Sequence, residues 1–195
     1  MIISPKYKFV FIATEKTGCT SVSNSLENID DTKKIIGNLV PKDRNNYLYS
    51  KHTSCSEFTN NHSDFNDYFK FAFVRNPWDR VVSWYFFSKT SSYESRNTSN
   101  ISFKEFIKIK SNVWKGPQQN QYDFTKCCDF IGRFENLQQD FNIICDKIKI
   151  PQQQLLSKNK SKHKSYTEYY DDETRQLVAD RFAKDIEYFG YKFGE

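Results

Sequence analysis

An apolar run from Tyr7 to Ala13 (YKFVFIA) passes without a spacer into the small-residue segment Thr14 to Thr20 (TEKTGCT), and then into Ser21 to Glu27. The run is aromatic and β-branched, which reads as a buried strand, and the residues after the small segment read as a short helix. A strand–loop–helix unit of this kind confines the chain to layered α/β folds. It also fixes where an anion would bind. Small residues at the turn let backbone N–H groups approach a ligand, and the helix N-terminus adds a favourable dipole. Lys16 brings a full positive charge, and Thr17, Thr20 and Ser21 bring hydroxyl donors beside Gly18 and Cys19.

The rest of the chain continues the alternation. Asp30 to Asn46 is polar and irregular, and Tyr47 to Tyr49 is a brief strand followed by Lys51 and His52. Asn60 to Asn66 reads as a surface connection, and Phe69 to Val74 (FKFAFV) as a second buried strand. Asn76-Pro77 starts a helix that runs to about Phe87, because Asn is a good N-cap and Pro is tolerated at the first helical position. The Ser/Asn-rich Thr90 to Asn100 reads as a mobile loop, and Ile101 to Lys110 as a helix. Asp129 to Gly132 is a third short strand. Phe134 to Lys149 spaces Phe134, Leu137, Phe141, Ile144 and Ile148 along one helical face. Ser157 to Ser165 (SKNKSKHKS) is a basic loop, and Asp171 or Asp172 caps a last helix with Leu177, Val178, Phe182 and Ile186 inward. Without an internal repeat or dividing linker, the expectation is one domain over residues 1–195, with a small, mostly parallel sheet flanked by helices in a P-loop-like three-layer α/β fold.

Composition narrows the class without choosing a ligand. Aromatics make up 17% of 195 residues, which excludes a disordered chain. A net charge of +5 suits an anionic ligand. The five cysteines (Cys19, Cys55, Cys127, Cys128, Cys145) are odd in number and form no CxxC pair or zinc-spaced cluster, so free thiols and no metal are expected. The opening residues pass directly into a strand-like run, so no signal peptide is expected, and no apolar stretch approaches the roughly 20 residues of a membrane span. The expectation is a soluble, cytoplasmic protein.

The loop does not match a Walker A sequence, in which Lys directly follows Gly; here Lys16 precedes Gly18 by two residues. The order Lys-Thr-Gly-x-Thr-Ser instead resembles the 5′-phosphosulfate loop of sulfotransferases that use 3′-phosphoadenosine 5′-phosphosulfate (PAPS). In FKFAFVRNPWDRVVSWY, Arg75 ends a strand where open α/β sheets bind ligands, and Ser83 lies about two helical turns on. This segment resembles the 3′-phosphate-binding stretch of the branch containing carbohydrate and heparan-type sulfotransferases. DFIGRFENLQQDF and HKSYTEYYDDETRQLVADRFAKDIEYFGYKF resemble two later family segments, so the resemblance runs from about Phe9 to Phe193. It implies that Arg75 and Ser83 bind the 3′-phosphate; Arg133 is a further nucleotide contact or an anchor for Glu135, and Lys162 and His163 are nucleotide contacts or part of a solvated charge cluster. Against the family's Pro-Lys-Thr-Gly-Gly-Thr-Ser, this loop carries Glu15 and Cys19. Cys19 fits only with a negative φ, and Glu15 only if it turns away from the polyanion.

The implied reaction moves a sulfuryl group from PAPS to an acceptor hydroxyl, favouring a carbohydrate, with no metal, nucleic acid or membrane span. It needs in-line positioning, charge stabilisation on the leaving phosphate and removal of a proton. Lys16 suits the second service. His52 is the candidate base, a histidine standing at the matching place in family members, with Glu15 as rival; His62 reads as solvated. Trp78, Trp84 and Tyr85 read as core, Arg80 as a surface charge paired with Asp79 or nearby Glu residues, and Cys127-Cys128 as packing. Two other classes stand beside this reading. A P-loop kinase would need a Walker A lysine and a metal-binding carboxylate, and a non-catalytic anion-binding module would not need Lys16, Arg75 and Ser83 together.

Overall fold

The computed structural model describes residues 1–29, 53–90, 100–113, 120–156 and 164–195. His52, Lys162, His163 and the expected strand at Tyr47 to Tyr49 lie outside them. The elements are β1 (Ile2–Ser4), β2 (Phe9–Ile12), α1 (Cys19–Leu26), α2 (Cys55–Asn61), β3 (Phe69–Val74) and α3 (Pro77–Thr90). They continue as α4 (Phe103–Val113), α5 (Gln121–Thr125), β4 (Phe130–Arg133), α6 (Leu137–Lys147), α7 (Asp172–Arg181) and α8 (Ala183–Phe189). Their contacts divide into two compact units, residues 1–74 with 123–158, and 75–122 with 159–195. Among the described residues no helix is long and apolar enough to cross a membrane.

The first unit holds a sheet in the order β1-β2-β3-β4. β1 runs antiparallel to β2, while β2–β3 and β3–β4 are parallel, with Phe11 opposite Phe71 and Phe73 opposite Gly132. Phe9, Phe11, Phe71 and Phe73 pack on one face with Val22 and Leu26 of α1 and Phe141, Ile144 and Ile148 near α6. Val10, Ile12 and Ala72 pack on the other with Ile3, and with Cys55 and Phe58 of α2. Both faces are therefore covered, which is why β2 and β3 read as nearly continuous apolar runs rather than alternating ones. Gly132 is required by close packing: a Cβ there would lie 2.5 Å from the Phe73 ring.

β1 and α5 were not expected from the sequence. His62 is half-buried and packs its ring at a tilt against Phe58, with centroids 5.1 Å apart, so it is not the simply solvated residue its polar turn implied. The five cysteines are free thiols. Cys128 packs beside Cys55, whereas Cys127 is exposed and its Sγ lies 2.9 Å from Ser56 Oγ.

The second unit is built on α3, α4 and α7, around Trp78, Val81, Val82, Tyr85, Phe103, Phe106, Val178 and Phe182. Asn76 caps α3, its Oδ1 accepting from Trp78 N at 3.1 Å. Asp171 caps α7 in a reciprocal box with Thr174. The single last helix of the sequence reading is instead two, broken at Phe182, whose φ of −111° leaves the helical range. The tail returns to the start of α3: Phe193 meets the Trp78 ring edge-on at 5.6 Å, and the Tyr170 hydroxyl donates to Trp78 O at 2.9 Å. Trp78 and Tyr85 are core residues, as their pattern suggested.

Candidate active site

In the first unit the turn from β2 to α1 carries two left-handed residues, Lys16 (φ 63°) and Gly18 (φ 79°), on either side of Thr17. Left-handed residues at alternate positions turn successive N–H groups toward a common point, the geometry of anion-binding nests. Gly18 begins α1 without a side-chain cap. Ser21 N and Val22 N turn back to Gly18 O at 3.0 and 3.2 Å. Helix geometry leaves the N–H groups of Cys19 and Thr20 without an acceptor inside the helix. The positive end of the helix dipole thus faces the turn that carries the Lys16 ammonium.

The departure at Cys19 is accommodated. Cys19 is not among the residues with positive φ and lies buried in the first turn of α1, while Glu15 is exposed. Gly18 has two reasons to be glycine: its left-handed φ, and a Cβ position 2.8 Å from Leu137 Cδ2 of α6. Thr17 is fully buried, and its hydroxyl donates to Thr14 O at 2.9 Å, so that proton closes the turn. Ser21 is nearly buried and Thr20 half-buried. Arg133 ends β4 with its N–H donating to Asp140 Oδ2 at 2.6 Å, which ties the strand end to α6.

In the second unit Arg75 and Ser83 are both buried, at 7% and 9% exposure. The Arg75 guanidinium is oriented by Asp79, whose Oδ2 accepts from Nε at 2.7 Å one helical turn on. Asp79 therefore partners Arg75, not Arg80. Arg80 is almost completely buried and stacks on the Trp84 ring at 4.3 Å, which corrects its reading as a surface charge.

Sequence reasoning missed Gln121 and Asp185, both at 0% exposure. Gln121 Oε1 accepts from Arg75 N at 2.8 Å, and its Nε2 donates to Arg75 O at 2.8 Å. Asp185 accepts from Gln121 N and Tyr122 N, each at 2.9 Å. Burial pushes its carboxyl above the usual carboxylate range, while those N–H donors and Arg80 pull the other way. Neither residue belongs to a local pattern that would have exposed it. Among the described residues, no group of three or more His, Cys, Asp or Glu is arranged to hold a metal ion.

Comparison with known proteins bears on this geometry. The description "Sulfotransferase family" matches residues 1–192. Carbohydrate sulfotransferase 9 of Homo sapiens is 24% identical over 218 aligned positions, covering 94% of this chain but 47% of that protein, so this chain spans about half of that relative's length. An uncharacterized protein of Archaeoglobus fulgidus is 36% identical over 95 residues, which are 46% of this chain and 74% of that one. Among solved structures, mouse sulfotransferase SULT7A1 complexed with PAP superposes with a TM-score of 0.61 at 12% identity, over 94% of this chain and 86% of that chain. At that identity the likeness shows the fold, and the fold is the P-loop-like α/β arrangement expected from the sequence. With a family match running almost from end to end, this chain belongs to the sulfotransferase family.

Proposed function

We propose that this sulfotransferase takes its sulfuryl group from PAPS and places it on a hydroxyl of a carbohydrate. The observation that carries the reading is the β2–α1 turn, where left-handed Lys16 and Gly18 precede an uncapped helix N-terminus. That donor set suits a doubly anionic phosphosulfate better than a neutral ligand. The PAP bound to the mouse protein of like fold supports the nucleotide, and the name of the human relative supports the acceptor class.

When bound, PAPS supplies an electrophilic sulfur carried on a phosphate leaving group. In this reading Lys16 and the N–H groups from Gly18 to Thr20 would hold that phosphate and stabilise the charge that develops on it. Thr17, Gly18 and Ser21 shape the same turn. Arg75 and Ser83 take the 3′-phosphate, and Arg133, Lys162 and His163 are the further nucleotide contacts. His52 accepts the hydroxyl proton as the acceptor oxygen bonds to sulfur and the sulfur–phosphate oxygen bond breaks.

The test is transfer of radiosulfate from labelled PAPS to a panel of glycans, alcohols and phenols. We expect label on glycans, with turnover falling about a hundredfold in Lys16→Ala and comparably in His52→Ala. A Glu15→Gln variant that fell while His52→Ala did not would move the base to Glu15. Transfer from labelled ATP but not from PAPS would replace the reading with phosphoryl transfer.

A further inference from the structure

The hydrogen bonds of the second unit assign Gln121 a role as positioning residue for Arg75, with Asp185 holding Gln121 in place; this inference rests on Arg75 binding the 3′-phosphate, and we infer it from backbone geometry. Arg75 is the first residue past β3, whose ladder with β4 ends at the pair Val74–Arg133. A buried peptide there needs new partners for its N–H and C=O. Gln121 supplies both from one side chain, accepting at Oε1 and donating at Nε2, each at 2.8 Å. A neutral side-chain amide offers a donor and an acceptor so placed, and Asn is one methylene shorter. The amide acts as one rung of a missing strand.

The clamp is itself clamped. Asp185 Oδ2 accepts from Gln121 N at 2.9 Å and from Gln121 Nε2 at 3.3 Å. Its Oδ1 accepts from Tyr122 N at 2.9 Å. That arrangement fixes which end of the Gln121 amide is oxygen, because Nε2 must face both Asp185 and the Arg75 carbonyl. At the other end of Arg75, Asp79 holds Nε at 2.7 Å. The backbone and the guanidinium of Arg75 thus each have a partner of their own. A bidentate guanidinium depends steeply on such alignment.

The experiment is a double-mutant cycle on the full chain, with PAP binding measured by calorimetry for wild type, Gln121→Met, Arg75→Ala and the double variant. Met keeps the volume and removes both hydrogen bonds. We expect Gln121→Met to weaken PAP roughly tenfold, and to cost less than about twofold once the Arg75 side chain is gone. An equal loss with and without Arg75, or no loss at all, would overturn the clamp as a positioning device. If Gln121→Met does not fold, Asp185→Asn replaces it in the same cycle, with a smaller loss again confined to proteins that retain Arg75. Wild type that binds PAP no better than AMP would instead overturn the underlying reading, and the clamp's role with it.

Discussion

Lys16 holds a backbone conformation that costs an ordinary L-residue about 1–2 kcal/mol. On the proposed role of Lys16, strain at the position that supplies the turn's cation is a compromise between stability and function. Replacing Lys16 with Gly relieves the strain and removes the ammonium. Denaturant unfolding is expected to show Lys16→Gly at least as stable as wild type, by up to about 1 kcal/mol, while sulfuryl transfer collapses. Gly18 carries the opposite expectation. Gly18→Ala adds a left-handed Ala and a Cβ 2.8 Å from Leu137 Cδ2, so we expect a loss of about 2–3 kcal/mol, read as a lower unfolding midpoint. An unchanged midpoint would mean that the turn does not hold this shape in solution.

Among the elements, α4 and α7 are joined at the surface by charge. Lys104 reaches Asp171 and Glu173 at 2.8 and 2.6 Å, and Lys108 reaches Glu173 at 2.7 Å. The Lys104 ammonium is the first cause holding both carboxyls below their usual range, with Thr174 adding to it at Asp171 and Lys108 at Glu173. A depressed folded-state value contributes stability above the unfolded value near pH 4, and that contribution is lost as pH falls. The groups are half-exposed, so the effect is small and screened by salt. Lys104→Met should therefore lower Tm slightly at pH 7 and low salt, with the difference shrinking as pH drops below about 4. A difference that grew in acid would contradict the sign.

The same elements show what sequence can carry. β3 was legible to the residue because Phe69 to Val74 is apolar apart from Lys70 and is followed by a helix capped at Asn76. The α1 start lay two residues earlier than expected, because Cys19 and Thr20 look like loop residues until Gly18 is seen to supply the left-handed turn. β1 escaped notice because three residues carry no period, and its strand character comes from pairing with β2. The two closing helices read as one because Val178, Phe182 and Ile186 keep a helical spacing across the break at Phe182.

At the scale of the whole molecule, order along the chain told more than any single motif. The Lys16 turn, the Arg75–Ser83 segment, the Gly132-Arg133 strand end and the closing helices come in the family's sequence, and the family match spans 1–192. The support behind Arg75 could not be read that way. Gln121 and Asp185 are 64 residues apart, and each acts on backbone groups, which leave no trace in the choice of neighbouring side chains. The central proposal is that the chain takes a 3′-phosphorylated adenine nucleotide, with Lys16 and Arg75 each among its contacts. Its most direct test is calorimetric titration with PAP, with ATP, ADP and AMP as controls, on wild type, Lys16→Ala and Arg75→Ala. Preferential PAP binding, weakened in both variants, is the predicted result; ATP binding as tightly as PAP, or PAP binding untouched by either substitution, would contradict it.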